Sequence, residues 1–258
     1  GRNALNAVTT GASNTAVGYQ ALDSNTTASN NTAVGHSALT ANTTGANNVA
    51  LGKDALAANT TASANVAIGH DTLAANTTGS GNTSVGSDSM EANTTGSNNT
   101  AVGFIALDAN TTADNNTAVG YAALTANTTG TENTAVGTTA GDGITTGDNN
   151  TAIGYDALSA NQTGDGNTSV GSHSLQANTG AGYNTAVGHN ALKVSSTGNS
   201  NTAVGQGAGD AVTTASNNVL VGNDSGGSLT TGGNNTAIGK DTISQATTTS
   251  QLVAVGYK

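Results

Sequence analysis

The sequence has no cysteine, which excludes a disulfide framework and a thiolate metal site. Tryptophan and proline are also absent, and aromatic residues make up 2 % of the chain. Hydrophobic residues reach only 34 % of 258 positions, which does not suit the one or two globular domains that this length allows. Positive charge is scarce as well. Five Lys and Arg against fifteen Asp and Glu give a formal net charge of −10. That excludes a phosphate-binding surface for nucleic acid and disfavours docking on an anionic membrane. No apolar run approaches the ~20 residues of a membrane helix, so this segment is not expected to insert. Charged residues total 8 %, fewer than a disordered chain of such low hydrophobicity usually carries.

What fills the chain is order. The glycine of a recurring Val-Gly or Ile-Gly pair (Leu-Gly at Gly52) falls at Gly18, Gly35, Gly52, Gly69 and onward to Gly256, always at intervals of 17. One unit, Asn31 to Asn47, reads Asn-Thr-Ala-Val-Gly-His-Ser-Ala-Leu-Thr-Ala-Asn-Thr-Thr-Gly-Ala-Asn. Four residues before each repeat glycine stands an asparagine, at Asn14, Asn31, Asn48, Asn65, Asn82, Asn99, Asn116 and on to Asn235; Leu252 alone departs. Low-complexity sequence has no reason to hold such a register, so residues 1–258 are read as one uninterrupted repeat array. Because the pattern starts and stops in mid-phase, the array is expected to be part of a longer chain.

Seventeen residues are too few for a helix pair, and Gly and Thr-Thr are weak helix formers. Short extended pieces such as Thr-Ala-Val, bounded by Gly and Asn, suit strands. The expected fold is therefore all-β, a parallel β-solenoid of fifteen 17-residue coils with a rise of about 4.8 Å per coil. Identical residues then stack, and the asparagines become ladders whose amides bond along the axis. Two large apolar rows are expected inside, Val17, Val34, Leu51 and Ile68 with their equivalents, and Leu22, Leu39, Leu56 and Leu73 with theirs. Ala16, Ala33, Ala50 and Ala67 precede the first row, so on a strand they point the other way. This predicts a small-residue outer face suited to a second chain. Three units replace the leucine by Gly141, Gly209 and Gly226, and in each an apolar residue appears three places on: Ile144, Val212 and Leu229. The bulk has moved, which predicts that both positions fill one interior pocket.

Catalysis needs a nonrepeating cluster of titratable groups, and none stands out: no catalytic, cofactor-binding or metal-ligating residue is expected. His36, His70, His173 and His189 are scattered over variable positions, and there is no phosphate loop or Cys/His metal spacing. Asp54, Asp71 and Asp88 fall in register on consecutive coils and are read as solubilising surface charge. Phe104, Ile105 and Tyr121 lie on adjacent coils and form the candidate contact patch. Thr26, Thr43, Thr60, Thr77 and Thr94, each followed by a second Thr, resemble the flat threonine arrays of ice-binding solenoids. Sixteen Asn-x-Ser/Thr sequons, among them Asn25, Asn42, Asn59, Asn76, Asn93, Asn110, Asn127 and Asn161, suggest glycan display as another role.

The runs from Asn14 to Leu22 and from Asn116 to Leu124 resemble the head repeats of trimeric autotransporter adhesins. They are equally similar to the repeats that precede intramolecular-chaperone domains in phage tail fibres and bacterial tail-fibre-like proteins. The resemblance covers the whole chain. It implies a left-handed β-roll and a homotrimer, displayed at a cell surface or on a virion, with a host-surface or glycan ligand. The adhesin repeats are shorter and less regular than these, and the neck, stalk, anchor and chaperone domains are not in this sequence. The expectation is thus a structural segment of an extracellular fibre whose partners are copies of itself, with no cofactor and no nucleic acid.

Overall fold

The computed structural model describes residues 1–257. The chain falls into two compact units, Gly1–Thr131 and Glu132–Lys258. The first unit holds β1 (Thr15–Val17), β2 (Thr32–Val34), β3 (Val49–Leu51), β4 (Val66–Ile68), β5 (Thr83–Val85), β6 (Thr100–Val102) and β7 (Thr117–Val119). The second holds β8 (Thr134–Val136), β9 (Thr151–Ile153), β10 (Thr168–Val170), β11 (Thr185–Val187), β12 (Thr202–Val204), β13 (Val219–Val221), β14 (Thr236–Ile238) and β15 (Val253–Val255). Within each unit every strand pairs in parallel with the next, residue i opposite residue i+17, as in Thr32 opposite Val49 and Thr151 opposite Thr168. The fold is an all-β parallel solenoid with a 17-residue coil, and no helix occurs among the described residues.

Each strand stops at the repeat glycine for a reason that side chains enforce. Gly52 has φ +141, a region that L residues rarely enter, and a Cβ added there would lie 2.0 Å from the carbonyl oxygen of Gly69. The glycine one coil on is constrained the same way by its own successor. A shift of one residue would drive a side chain into backbone at every coil, which explains why the register never drifts.

After the glycine the chain turns sharply through two left-handed residues. Aspartate or asparagine often takes the first, as at Asp54, Asp71 and Asn190; the second is the leucine of the repeat, as at Leu22 with φ +53 and Leu56 with φ +52. A left-handed leucine costs about 1–2 kcal/mol, whereas full burial of its side chain contributes about 1.5–3 kcal/mol. Burial wins, and these leucines have no exposed surface.

The interior reverses one sequence expectation. Ala33, Ala50, Ala67, Ala101 and Ala118 are fully buried, whereas Val17 is 56 % and Leu51 46 % exposed. Neighbours on a strand do face opposite ways, but the alanines face in and the valine row faces out. The reason is space: the buried leucine and two asparagines already fill a narrow coil, and the strand can add only a methyl group. The small-residue face is therefore core and offers nothing to a second chain. The expected compensation at the glycine-bearing coils is present, because Ile144, Val212 and Leu229 are all buried. Leu220, the one large residue in the alanine row, is buried beside Gly209 and Gly226 and occupies the space they leave.

Two asparagine ladders tie coil to coil. In the predicted one, the side-chain oxygen of Asn14 accepts the backbone N–H of Asn31 at 2.9 Å, and the Asn31 amide donates to the Gly45 carbonyl at 2.9 Å. Asn48, Asn65, Asn82 and Asn99 repeat this arrangement, and the Asn116 N–H donates to the Asn99 side-chain oxygen at 2.9 Å. The second ladder runs through Asn25, Asn42, Asn59, Asn76, Asn93, Asn110 and Asn127, where each amide donates to the side-chain oxygen one coil back, at 2.7–3.2 Å. Hydroxyls that enter the core from the strand arrive in partnered sets: Ser84 with Ser89 and Thr72, and Ser169 with Ser174. A buried donor left alone would cost about 1–3 kcal/mol, so serine under the strand brings a second hydroxyl with it.

Candidate functional site

The outer side of the strands is a surface repeated at every coil. In the first unit Thr15, Thr32, Val49 and Val66 form one outward column, and Val17, Val34, Leu51 and Ile68 the other. The second unit repeats it, with Val136, Ile153, Val204 and Ile238 exposed by 37–41 %. Backbone pairing fixes these side chains in straight rows, so each unit displays a regular, rigid, partly apolar face.

A second column follows the repeat glycine and carries most of the aromatic residues together with His36, Lys53, His70, His189 and Lys240. Phe104 and Tyr121, both about half exposed, stack at 6.0 Å with an interplanar angle of 23°. Ile105, the third member of the expected patch, is half-buried and holds φ +50, an unfavourable region for a β-branched residue. Tyr19 and His36 stack in the same way at 5.1 Å.

The aspartate row Asp54, Asp71 and Asp88 is interleaved with bases rather than left to repel. Lys53 pairs with Asp54, and that hydrogen bond, with the charges of Asp54 and Asp71, raises the Lys53 pKa above the usual lysine value. His70 lies 3.1 Å from Asp71 and 3.7 Å from Asp88 through Nδ1. His36 approaches Asp54 at 3.8 Å, and His173 approaches Asp156 at 3.7 Å. The sequence placed His36 and His70 on separate coils but gave no sign that each histidine meets carboxylates of the neighbouring coil.

The threonine and sequon rows change meaning in three dimensions. Thr26, Thr43, Thr60, Thr77 and Thr94 are half-buried, and each hydroxyl donates to the backbone carbonyl of the threonine one coil on. The following row, Thr27, Thr44, Thr61, Thr78 and Thr95, is the exposed one. The sequon asparagines Asn25, Asn42, Asn59, Asn76, Asn93, Asn110, Asn127 and Asn161 have no exposed surface, so their amides cannot accept a glycan in the folded chain. Exposed sequons do exist, at Asn30, Asn98, Asn115, Asn149 and Asn234. The structural role of the buried row was missed, although its constant phase was visible beside the predicted ladder.

A shallow open groove of about 470 Å³ is lined by Ala74, Ala75, Ala92 and Ala109 with Glu91 and Asp108. Burial first, then the charge of nearby carboxylates, pushes both carboxyls above their usual range. Asp142 in the second unit is held at about 6 by burial and then by Asp156.

Fold and faces together define a parallel β-solenoid with 17-residue coils and repeated surface rows. No family model matches the chain, and neither does a curated protein or a solved structure.

Proposed function

We propose that this chain is a structural segment of an extracellular fibre, the shaft or head of a cell-surface adhesin or tail fibre, assembled as a homotrimer and without catalytic activity. The observation that carries the reading is the outward Thr–Val face. A row of exposed β-branched residues that repeats in each unit is unusual for an isolated soluble chain and suits burial against another surface. A second copy offers the same rows at the same spacing, and closed cyclic assemblies are the common way for identical chains to bury such a face. The Phe104, Ile105 and Tyr121 patch lies outside those rows and is the contact point for a host-surface or glycan ligand.

The test replaces Val102 and Val119 with glutamate. Both face outward, so the monomer retains its β spectrum while the assembly dissociates. An assembly of unchanged mass in the double variant would remove this face from the interface.

A second reading, ice binding, is favoured by the exposed threonine row Thr27, Thr44, Thr61 and Thr78. Thermal hysteresis in a freezing assay would establish it, and its absence would leave the fibre reading alone.

A further inference from the structure

We propose that His70, Asp71 and Asp88 form a binding site for a divalent transition-metal ion of the zinc class. One ligand atom from each lies within 4.8 Å of the other two, and no other such group occurs among the described residues.

The spacing fits the chemistry. Ligand atoms bound at about 2.1 Å stand roughly 3.0–3.4 Å apart around octahedral or tetrahedral ions. His70 Nδ1 lies 3.1 Å from Asp71 Oδ2 and 3.7 Å from Asp88 Oδ1, and the carboxylate oxygens lie within 4.8 Å of each other, so partly exposed side chains can close around one ion. One imidazole with two carboxylates is a donor set suited to zinc-class ions, and the two negative charges balance a dication.

The backbone holds the site in place. The Asp71 N–H donates to the Lys53 carbonyl at 3.0 Å, and the Asp88 N–H donates to the His70 carbonyl at 2.9 Å. Asp71 and Asp88 therefore project from the same left-handed turn of adjacent coils, at φ +52 and φ +54. Ser87 donates to Asp88 Oδ2 at 3.0 Å, which leaves Oδ1 facing the imidazole. Such an outer hydrogen bond orients a metal-binding carboxylate. His70 is half exposed, so water can complete the coordination shell.

The repeats supply their own controls. At the same phase one pair of coils earlier, His36 faces Asp54, but Ser37 stands where Asp71 would, and Lys53 already holds Asp54. His173 meets a single carboxylate, Asp156. Among the described residues, only the His70 coil joins an imidazole to two carboxylates that form no direct ion pair with a lysine. An ion there would bridge two adjacent coils.

The experiment titrates metal-stripped protein with zinc chloride at neutral pH by calorimetry, with thermal unfolding measured alongside. The expected result is one saturable site per chain and a melting temperature that rises with zinc. His70→Ala should abolish both effects. Asp71→Asn and Asp88→Asn should each weaken binding at least about tenfold, while His36→Ala and His189→Ala leave it unchanged. These side chains are surface groups, so an unchanged circular dichroism spectrum shows that each variant folds. Absence of saturable binding in the parent, or equal binding in His70→Ala, overturns the proposal.

Discussion

Restoring the commonest residue of the repeat at Gly209 should destabilise the protein. Leucine occupies that phase in most coils, yet a Cβ at Gly209 would lie 2.7 Å from Leu220 Cδ1 and 3.0 Å from Leu192 Cδ2, with Val212 Cγ2 at 3.4 Å. The pocket is already full. Overpacking costs about 1–3 kcal/mol. The position also has φ +63, which adds about 1–2 kcal/mol for any L side chain. Gly209→Leu should therefore lose about 2–5 kcal/mol by these two terms together. Leu220→Ala alone empties the same space and should lose about 2–5 kcal/mol. In the double variant the new leucine enters the space vacated by Leu220, so the losses should not add, with a favourable coupling of about 0.5–3 kcal/mol. Urea unfolding followed by circular dichroism gives the three differences from midpoints at unchanged slope. Hydrogen exchange at the Gly209 and Val212 amides, which donate to Ser225 and Gly209 carbonyls respectively, localises the effect to these coils. A neutral or stabilising Gly209→Leu, or strict additivity in the double variant, would refute the shared pocket.

Three further outcomes follow from the same geometry. Asn93→Ala strands the buried side-chain oxygen of Asn76, which accepts from Asn93 at 2.8 Å, and should lower stability by at least about 1–3 kcal/mol in denaturant unfolding; a smaller loss would mean that the ladder is not a principal restraint. Ile105→Asn relieves a left-handed β-branched residue and should raise stability by up to about 1 kcal/mol, whereas a loss would assign Ile105 a packing role. Asp142→Asn should stabilise at pH 7, because the folded carboxyl titrates at about 6 against an ordinary aspartate value of 3.8. The folded state holds the proton more tightly, so stability falls as pH rises between those values. The gain from asparagine, about 1 kcal/mol after allowance for solvent screening, should shrink below about pH 6 and vanish below about pH 4. A gain that persists at about pH 3 would contradict it.

The fold was legible because spacing alone encodes it. Fifteen glycines in one phase announce a coil, and the close approach of Gly52 to Gly69 shows why glycine is obligatory. Sidedness was less legible. The alternation of Ala50 and Leu51 says that they face opposite ways but not which one faces in, and hydrophobicity favours the larger residue. What decides is Leu56, whose left-handed backbone carries its side chain into the coil, a conformation that leucine's propensity gives no reason to expect. Asn25, Asn42 and Asn59 drew attention as sequons, although their constant phase was the signature of a second ladder. His70 could not be linked to Asp88 until the coil was known to stack residue i against residue i+17.

The central claim is that the outward valine face joins copies of this chain, and mass in solution tests it most directly. Light scattering on the purified protein should give a particle of three chains of 24.6 kDa each, falling to one chain when Val102 and Val119 become glutamate. A folded single-chain mass for the unaltered protein would contradict the account.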